Sequence, residues 1–128
     1  MIRVENVSKS FGSKKALHQI SFEIKEGEIF GFLGPSGSGK TTMINVLTGQ
    51  LAADQGKTVL LGKNSQDLTS NDLEQIGIVS DGSGFYEKIS LYKNLLIYAK
   101  LYDLKSDRVN QVLQQVGLAD AKDIIAEK

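Results

Sequence analysis

Near the N-terminus the chain alternates between apolar and polar positions in two runs. Ile2 and Val4, with Asn6 next in register, alternate with Arg3 and Glu5, and Ile20, Phe22 and Ile24 alternate with Ser21, Glu23 and Lys25. A period of two marks strands with one buried face, so these runs, joined by the polar residues 11–15, predict an antiparallel pair. After Glu26 and Gly27 the alternation stops, and residues 29–33 become almost continuously apolar. That change predicts a strand buried on both faces of a parallel sheet. Met43, Ile44, Leu47 and Leu51 then carry the spacing of a helix stripe, with Gly49 near its end. Strands are predicted at 58–61 and 76–80, with a short helix at 72–75 between them. Ser90 predicts the N-cap of a helix with the stripe Leu91, Leu95, Tyr98 or Ala99, and Tyr102. Ser106 predicts another, with Val109, Val112, Leu113 and Val116 inward and Gly117 at its end. No closing element is evident over 123–128.

At 128 residues, 41% of them hydrophobic and 23% charged, the chain has the size of one globular domain, and two complete domains are excluded. Fifteen basic residues balance fifteen acidic ones. That balance removes the electrostatic case for non-specific attachment to nucleic acid or anionic lipid, and no nucleic-acid partner is expected. Cysteine is absent, which excludes a disulfide framework and a thiolate metal site. Charges at Arg3 and Glu5 interrupt any signal-peptide core. The least polar run, 28–34, is far short of the roughly 20 residues a spanning helix needs, so a membrane role is expected to pass through a partner.

Between the apolar run and the helix stripe lie Gly34, Pro35, Ser36, Gly37, Ser38, Gly39, Lys40 and Thr41, which match the pattern G-x-x-x-x-G-K-[ST]. The pattern carries meaning only between a strand and a helix, and here it lies between those two predicted elements. Glycines let successive N–H groups turn inward on a phosphate chain, and the helix that begins at Lys40 adds its partial positive end. Lys40 would meet the β- and γ-phosphates and the Thr41 hydroxyl a Mg²⁺ ion. A Gly/Ser-rich surface turn is the plainer explanation. With Gly at about 7% of average composition, however, a chance match in a chain this long is on the order of a percent or less. Gly37-Ser38-Gly39 is too short for a dinucleotide fingerprint.

With these residues in view the chain resembles the ATP-binding cassette family, the nucleotide-hydrolysing subunits of membrane transporters. The likeness runs from Val4–Gly12 and Ala16–Phe22 through Glu26–Thr42, its most specific part, to Ile76–Asp81, Asn94–Leu96 and Ala99–Tyr102. It implies an α/β fold with an incomplete P-loop NTPase (RecA-like) core: an antiparallel β portion over 1–27, the core over 28–85 and the start of a helical arm over 86–128. It also implies ATP and Mg²⁺ as cofactors. Phe11 would stack on adenine, residues 34–42 including Thr42 would hold the phosphates, and Thr41 and Asp81 would serve the metal. The partners implied are a transmembrane permease and a second cassette, and the place implied is the cytoplasmic face of the membrane.

Two departures matter. Asp81 stands where the family usually carries the Q-loop glutamine, and an acidic residue there ahead of Gly84-Phe85-Tyr86 resembles the bacteriocin, lantibiotic and peptide-antibiotic export branch. The signature Leu-Ser-Gly-Gly-Gln, the Walker B Asp-Glu pair and the switch histidine do not occur in these 128 residues. They are therefore expected to correspond to the N-terminal half of a cassette, with no complete catalytic set and no turnover alone. Rival readings are a small P-loop kinase that uses Asp81 as its metal carboxylate, and a soluble cassette without a transport role. Steps in apolarity before Asp81 are too weak for a Walker B strand. His18, the only histidine, is expected to be a solvated residue of the strand region. Phe11 could also be a hydrophobic plug at a strand end, and Tyr86, Tyr92, Tyr98 and Tyr102 are expected to pack the arm.

Overall fold

In the computed structural model, residues 1–79 and 84–125 are described, and they form two units, Met1–Ile78 and Val79–Lys128. The first is built on a four-stranded antiparallel sheet in the order β2-β1-β3-β4, from β1 (Ile2–Phe11), β2 (Lys14–Ile24), β3 (Gln55–Leu60) and β4 (Lys63–Asn64). The predicted hairpin is present but tighter than residues 11–15, because Phe11 pairs with Lys14 and Gly12 turns the chain at φ 58°.

The alternation breaks midway along both strands. Asn6 and Gln19 adopt positive φ, 49° and 47°, and each donates its backbone N–H to a serine hydroxyl across the pair, Asn6 to Ser21 Oγ at 2.8 Å and Gln19 to Ser8 Oγ at 3.0 Å. The serines satisfy amides that the irregular ladder leaves over, so the bulges retain their hydrogen bonds. One consequence is that Val4 and Val7, not Asn6, face the core.

Helix α1 (Lys40–Leu47) lies on that core. Met43 and Val46 are buried with Val4, Val7 and Leu17, and Ile20, Phe22, Phe32, Leu47, Leu51 and Ala53 pack around them. Each of the five fully buried side chains contributes about 1.5–3 kcal/mol by its withdrawal from water. The predicted stripe is rotated by one position: Ile44 is exposed and Val46 takes its place inward. Residues 43, 46 and 47 share one helical face, and 44 falls beside it.

Residues 29–33 are not a strand, contrary to the sequence expectation. Phe30 and Phe32 approach Phe22, with ring centroids 5.0 and 5.8 Å away, while Ile29 and Leu33 are 100% and 93% exposed. A strand buried on both faces needs neighbours on both sides, and the sheet of the described residues does not extend to this segment. The strand predicted at 76–80 is also absent over 76–79, where Val79 is exposed. After β4, a 3₁₀ turn (Ser65–Asp67) leads into α2 (Ser70–Leu73), the predicted short helix shifted by two residues.

The second unit pairs α3 (Leu91–Leu101) with α4 (Asp107–Gln115), burying Ala99, Val109 and Leu113. Ser90 Oγ accepts from Lys93 N–H at 3.3 Å, the predicted cap. Ser106 makes no such bond, and Val116, expected inward, is exposed. The helix ends as predicted at Gly117, where φ 71° lets Gly117 and Leu118 N–H return to the Gln114 and Leu113 carbonyls. After a 3₁₀ turn (Ala119–Ala121), Lys122 and Ile124 carbonyls accept from Tyr92 and Leu91 N–H at 2.9 Å each, so this segment closes onto the start of α3. No helix of the described residues is long and apolar enough to cross a membrane.

Candidate functional site

The glycine-rich loop leads directly into α1. Gly39 is the N-cap residue at φ 92°, ψ 5°, and Gly37 has φ 79°. At Gly39 the absent Cβ is required twice: the backbone is left-handed, and a Cβ would overlap the Ala16 carbonyl oxygen and lie 3.0 Å from Leu17 Cδ2. The loop is thus seated against β2. Gly37 has open space around it and needs glycine for its backbone alone. At Gly34 a Cβ would lie 2.6 Å from Ser38 Oγ.

Lys40 crosses the loop from inside. Its Nζ donates to the Gly34 carbonyl at 2.6 Å and the Pro35 carbonyl at 2.8 Å, with Ser38 Oγ at 3.4 Å. Ser38 N–H donates to Pro35 O at 3.2 Å, which closes the turn. The first helical bond runs from Met43 N–H to Gly39 O at 2.8 Å, so the N–H groups of Lys40, Thr41 and Thr42 precede it without intrahelical acceptors. No acidic residue occupies the first turn of α1, so the helix itself brings no negative charge to its partial positive end. Ser36, Ser38 and Thr41 are exposed and Thr42 is half-buried.

These features fit a polyphosphate: a backbone arch that side chains would fill, free amides at a helix start, one ammonium, and no carboxylate among them. A Mg²⁺ ion accompanying it would take the exposed Thr41 hydroxyl, with phosphate and water oxygens filling the remaining positions. Asp81, the other residue expected at the metal, lies outside the described residues.

Phe11, at the end of β1, is 52% exposed, with Lys9 Nζ 5.9 Å from its ring centroid. Lys9 is in turn paired to Asp54 at 2.7 Å, an arrangement that nothing in the local sequence signals because the partners are far apart along the chain. His18 is exposed on β2, as expected. Tyr86, Tyr98 and Tyr102 are exposed rather than packed, although the Tyr98 hydroxyl donates to the Gly84 carbonyl at 2.9 Å. In the sequence Asn94 stands out only through the family likeness. It is buried, with Oδ1 accepting from Tyr86 N–H at 2.6 Å and Nδ2 donating to Tyr86 O at 3.0 Å, which ties the segment before α3 to the helix.

The family model described as ABC transporter matches residues 17–128. The chain is 36% identical over 130 residues to the linearmycin resistance ATP-binding protein LnrL of Bacillus subtilis (strain 168), an alignment that takes in 98% of this chain and 42% of that protein. It is 34% identical over 119 residues to the bacitracin transport ATP-binding protein BcrA of Bacillus licheniformis, covering 92% of this chain and 39% of that one. The chain therefore spans about two-fifths of the length of these relatives. Among solved structures, MJ1267, an ATP-binding cassette of an ABC transporter, superposes with a TM-score of 0.74 at 28% identity, over 97% of this chain and 56% of that one.

Proposed function

The chain belongs to the ABC transporter family of ATP-binding cassettes, and from that membership we propose that residues 34–42 bind Mg-ATP in a protein that couples ATP hydrolysis to transport. The observation that carries the proposal is the loop itself: Lys40 is drawn into an arch of backbone in which Gly37 and Gly39 take positive φ and Gly39 leaves no room for a Cβ, at the start of α1, whose first turn has no acidic residue. The amides of the loop and of Lys40, Thr41 and Thr42 would hold the phosphates, and the Lys40 ammonium would exchange loop carbonyls for the β- and γ-phosphates. Thr41 supplies one oxygen to Mg²⁺, and Asp81 serves at the Q-loop position. Phe11 stacks on the base.

In the whole protein, a second cassette closes over the nucleotide and a transmembrane permease receives the resulting motion, at the cytoplasmic face of the membrane. The division into a β portion (1–27), a core (28–85) and an arm (86–128) belongs to the same proposal. Linearmycin resistance and bacitracin transport, named for two relatives, support an antibiotic-export role of the intact protein. Residues 1–128 alone contain no Walker B Asp-Glu pair to polarise an attacking water, so they bind nucleotide without turning it over.

The test is fractionation of the intact protein together with an ATPase measurement. Recovery with membranes and release of phosphate without transfer to a small acceptor is the expected outcome. Steady phosphoryl transfer to an acceptor, abolished by Asp81→Asn, would establish the small-kinase reading instead, and an active ATPase recovered only in the soluble fraction would establish the soluble cassette.

A further inference from the structure

The ladder between β1 and β3 ends at Ser8 and Gln55, where Asp54 N–H donates to the Ser8 carbonyl at 2.9 Å. Beyond that point β1 continues for three residues, Lys9, Ser10 and Phe11, with β3 no longer beside it. The Asp54 side chain takes over. Its Oδ2 accepts from Ser10 N–H at 2.7 Å, as the next rung of the ladder would, and its Oδ1 accepts from Lys9 Nζ at 2.7 Å. Lys9 is largely covered, with its side chain 14% exposed, and its ammonium lies over the Phe11 ring. The Lys9 bond and then the Ser10 amide hold the Asp54 carboxyl below the ordinary carboxylate range, so it is charged wherever the protein is folded near neutrality.

We propose that Asp54 is a positioning residue for the nucleobase: by fixing Ser10's backbone and Lys9's ammonium it sets the Phe11 ring, with Lys9 over one face and the other face presented for stacking. The proposal rests on the reading that Phe11 stacks on the base. A surface ion pair by itself contributes little to stability. Here one carboxylate engages two consecutive residues and orients the third, a service to geometry more than to folding. Ring stacking depends on the offset and tilt of the two planes, so a strand end free to shift weakens it.

The test uses the intact protein and calorimetric titration with Mg-ATP, Mg-GTP and tripolyphosphate, for the wild type, Asp54→Ala, Phe11→Ala and the double variant. Asp54→Ala is expected to weaken ATP and GTP alike, by about threefold, to leave tripolyphosphate binding unchanged, and to add nothing when Phe11 is already alanine. Asp54→Asn keeps an oxygen for the Ser10 amide and is expected to lose less, which also provides a milder variant should the alanine fold poorly. Full ATP affinity in both Asp54 variants beside a weakened Phe11→Ala, an equal loss for tripolyphosphate, or additive losses in the double variant would overturn the positioning role alone. Full ATP affinity in Phe11→Ala would overturn the stacking reading, and the positioning role with it.

Discussion

Gly39 shows how much one Cβ can decide. Its left-handed φ of 92°, and the Ala16 carbonyl oxygen that a Cβ would overlap, leave no room for a side chain. Gly39→Ala is expected to cost more than the about 1–2 kcal/mol of a left-handed L-residue and to weaken nucleotide binding, both visible by paired melting and titration. The loop was legible because its chemistry is local, with eight consecutive residues spelling out glycines, lysine and threonine. Lys63 and Asp72 were not legible as a pair, because only the tertiary fold brings them together. Asp72 is 7% exposed and accepts from Lys63 Nζ, Thr69 Oγ1 and Thr69 N–H at 2.7–2.8 Å. The Lys63 bond, followed by those from Thr69, holds its carboxyl at about 2, against 3.8 for a free aspartate. A depressed folded-state pKa stabilises the fold above the unfolded value, and that contribution is lost as pH falls from near 3.8 toward 2. Asp72→Asn should therefore lower the melting temperature at pH 7, with the deficit shrinking across that acid window. A deficit of constant size down to pH 2 would mean that the charge is not what stabilises the clasp.

At the scale of elements, the antiparallel pair, β3, α1 and the two arm helices were predictable from periodicity and caps, whereas the orientation of individual faces was not. The stripe of α1 is turned so that Val46 replaces Ile44, and α4 buries Val109 and Leu113 while Val116, the residue that caps its C-terminus, stays in water. Helical spacing admits neighbouring faces, and the partner surface selects among them. The contrast between α4 and its C-cap is measurable. Leu113→Ala removes a side chain that is 1% exposed and should cost about 2–5 kcal/mol by urea denaturation. Val116→Ala, at a position 60% exposed, should stay within about 0.5 kcal/mol. Equal costs would place the buried face elsewhere. Residues 29–33 illustrate the opposite limit: their composition announces a buried strand, but burial is a property of neighbours, and here the phenylalanines touch Phe22 while Phe30 itself stays 40% exposed.

For the molecule as a whole, those uncovered positions have a consequence. Ile29, Leu33 and Val79 are each more than nine-tenths exposed, and the first two flank a segment rich in β-forming residues that joins no sheet of the described residues. Surfaces of this kind recruit other chains. Residues 1–128 produced alone are expected to form dimers or larger assemblies by light scattering, and a monodisperse monomer would contradict the exposed-segment account.

The central claim is that the phosphate loop binds the nucleotide, and calorimetric titration of Mg-ATP into the intact protein and its Lys40→Ala variant tests it most directly. Loss of a charge-assisted contact of this kind costs about 1.5–3 kcal/mol, so the account predicts affinity reduced at least about tenfold with the fold retained. Equal affinity in the two proteins would contradict it.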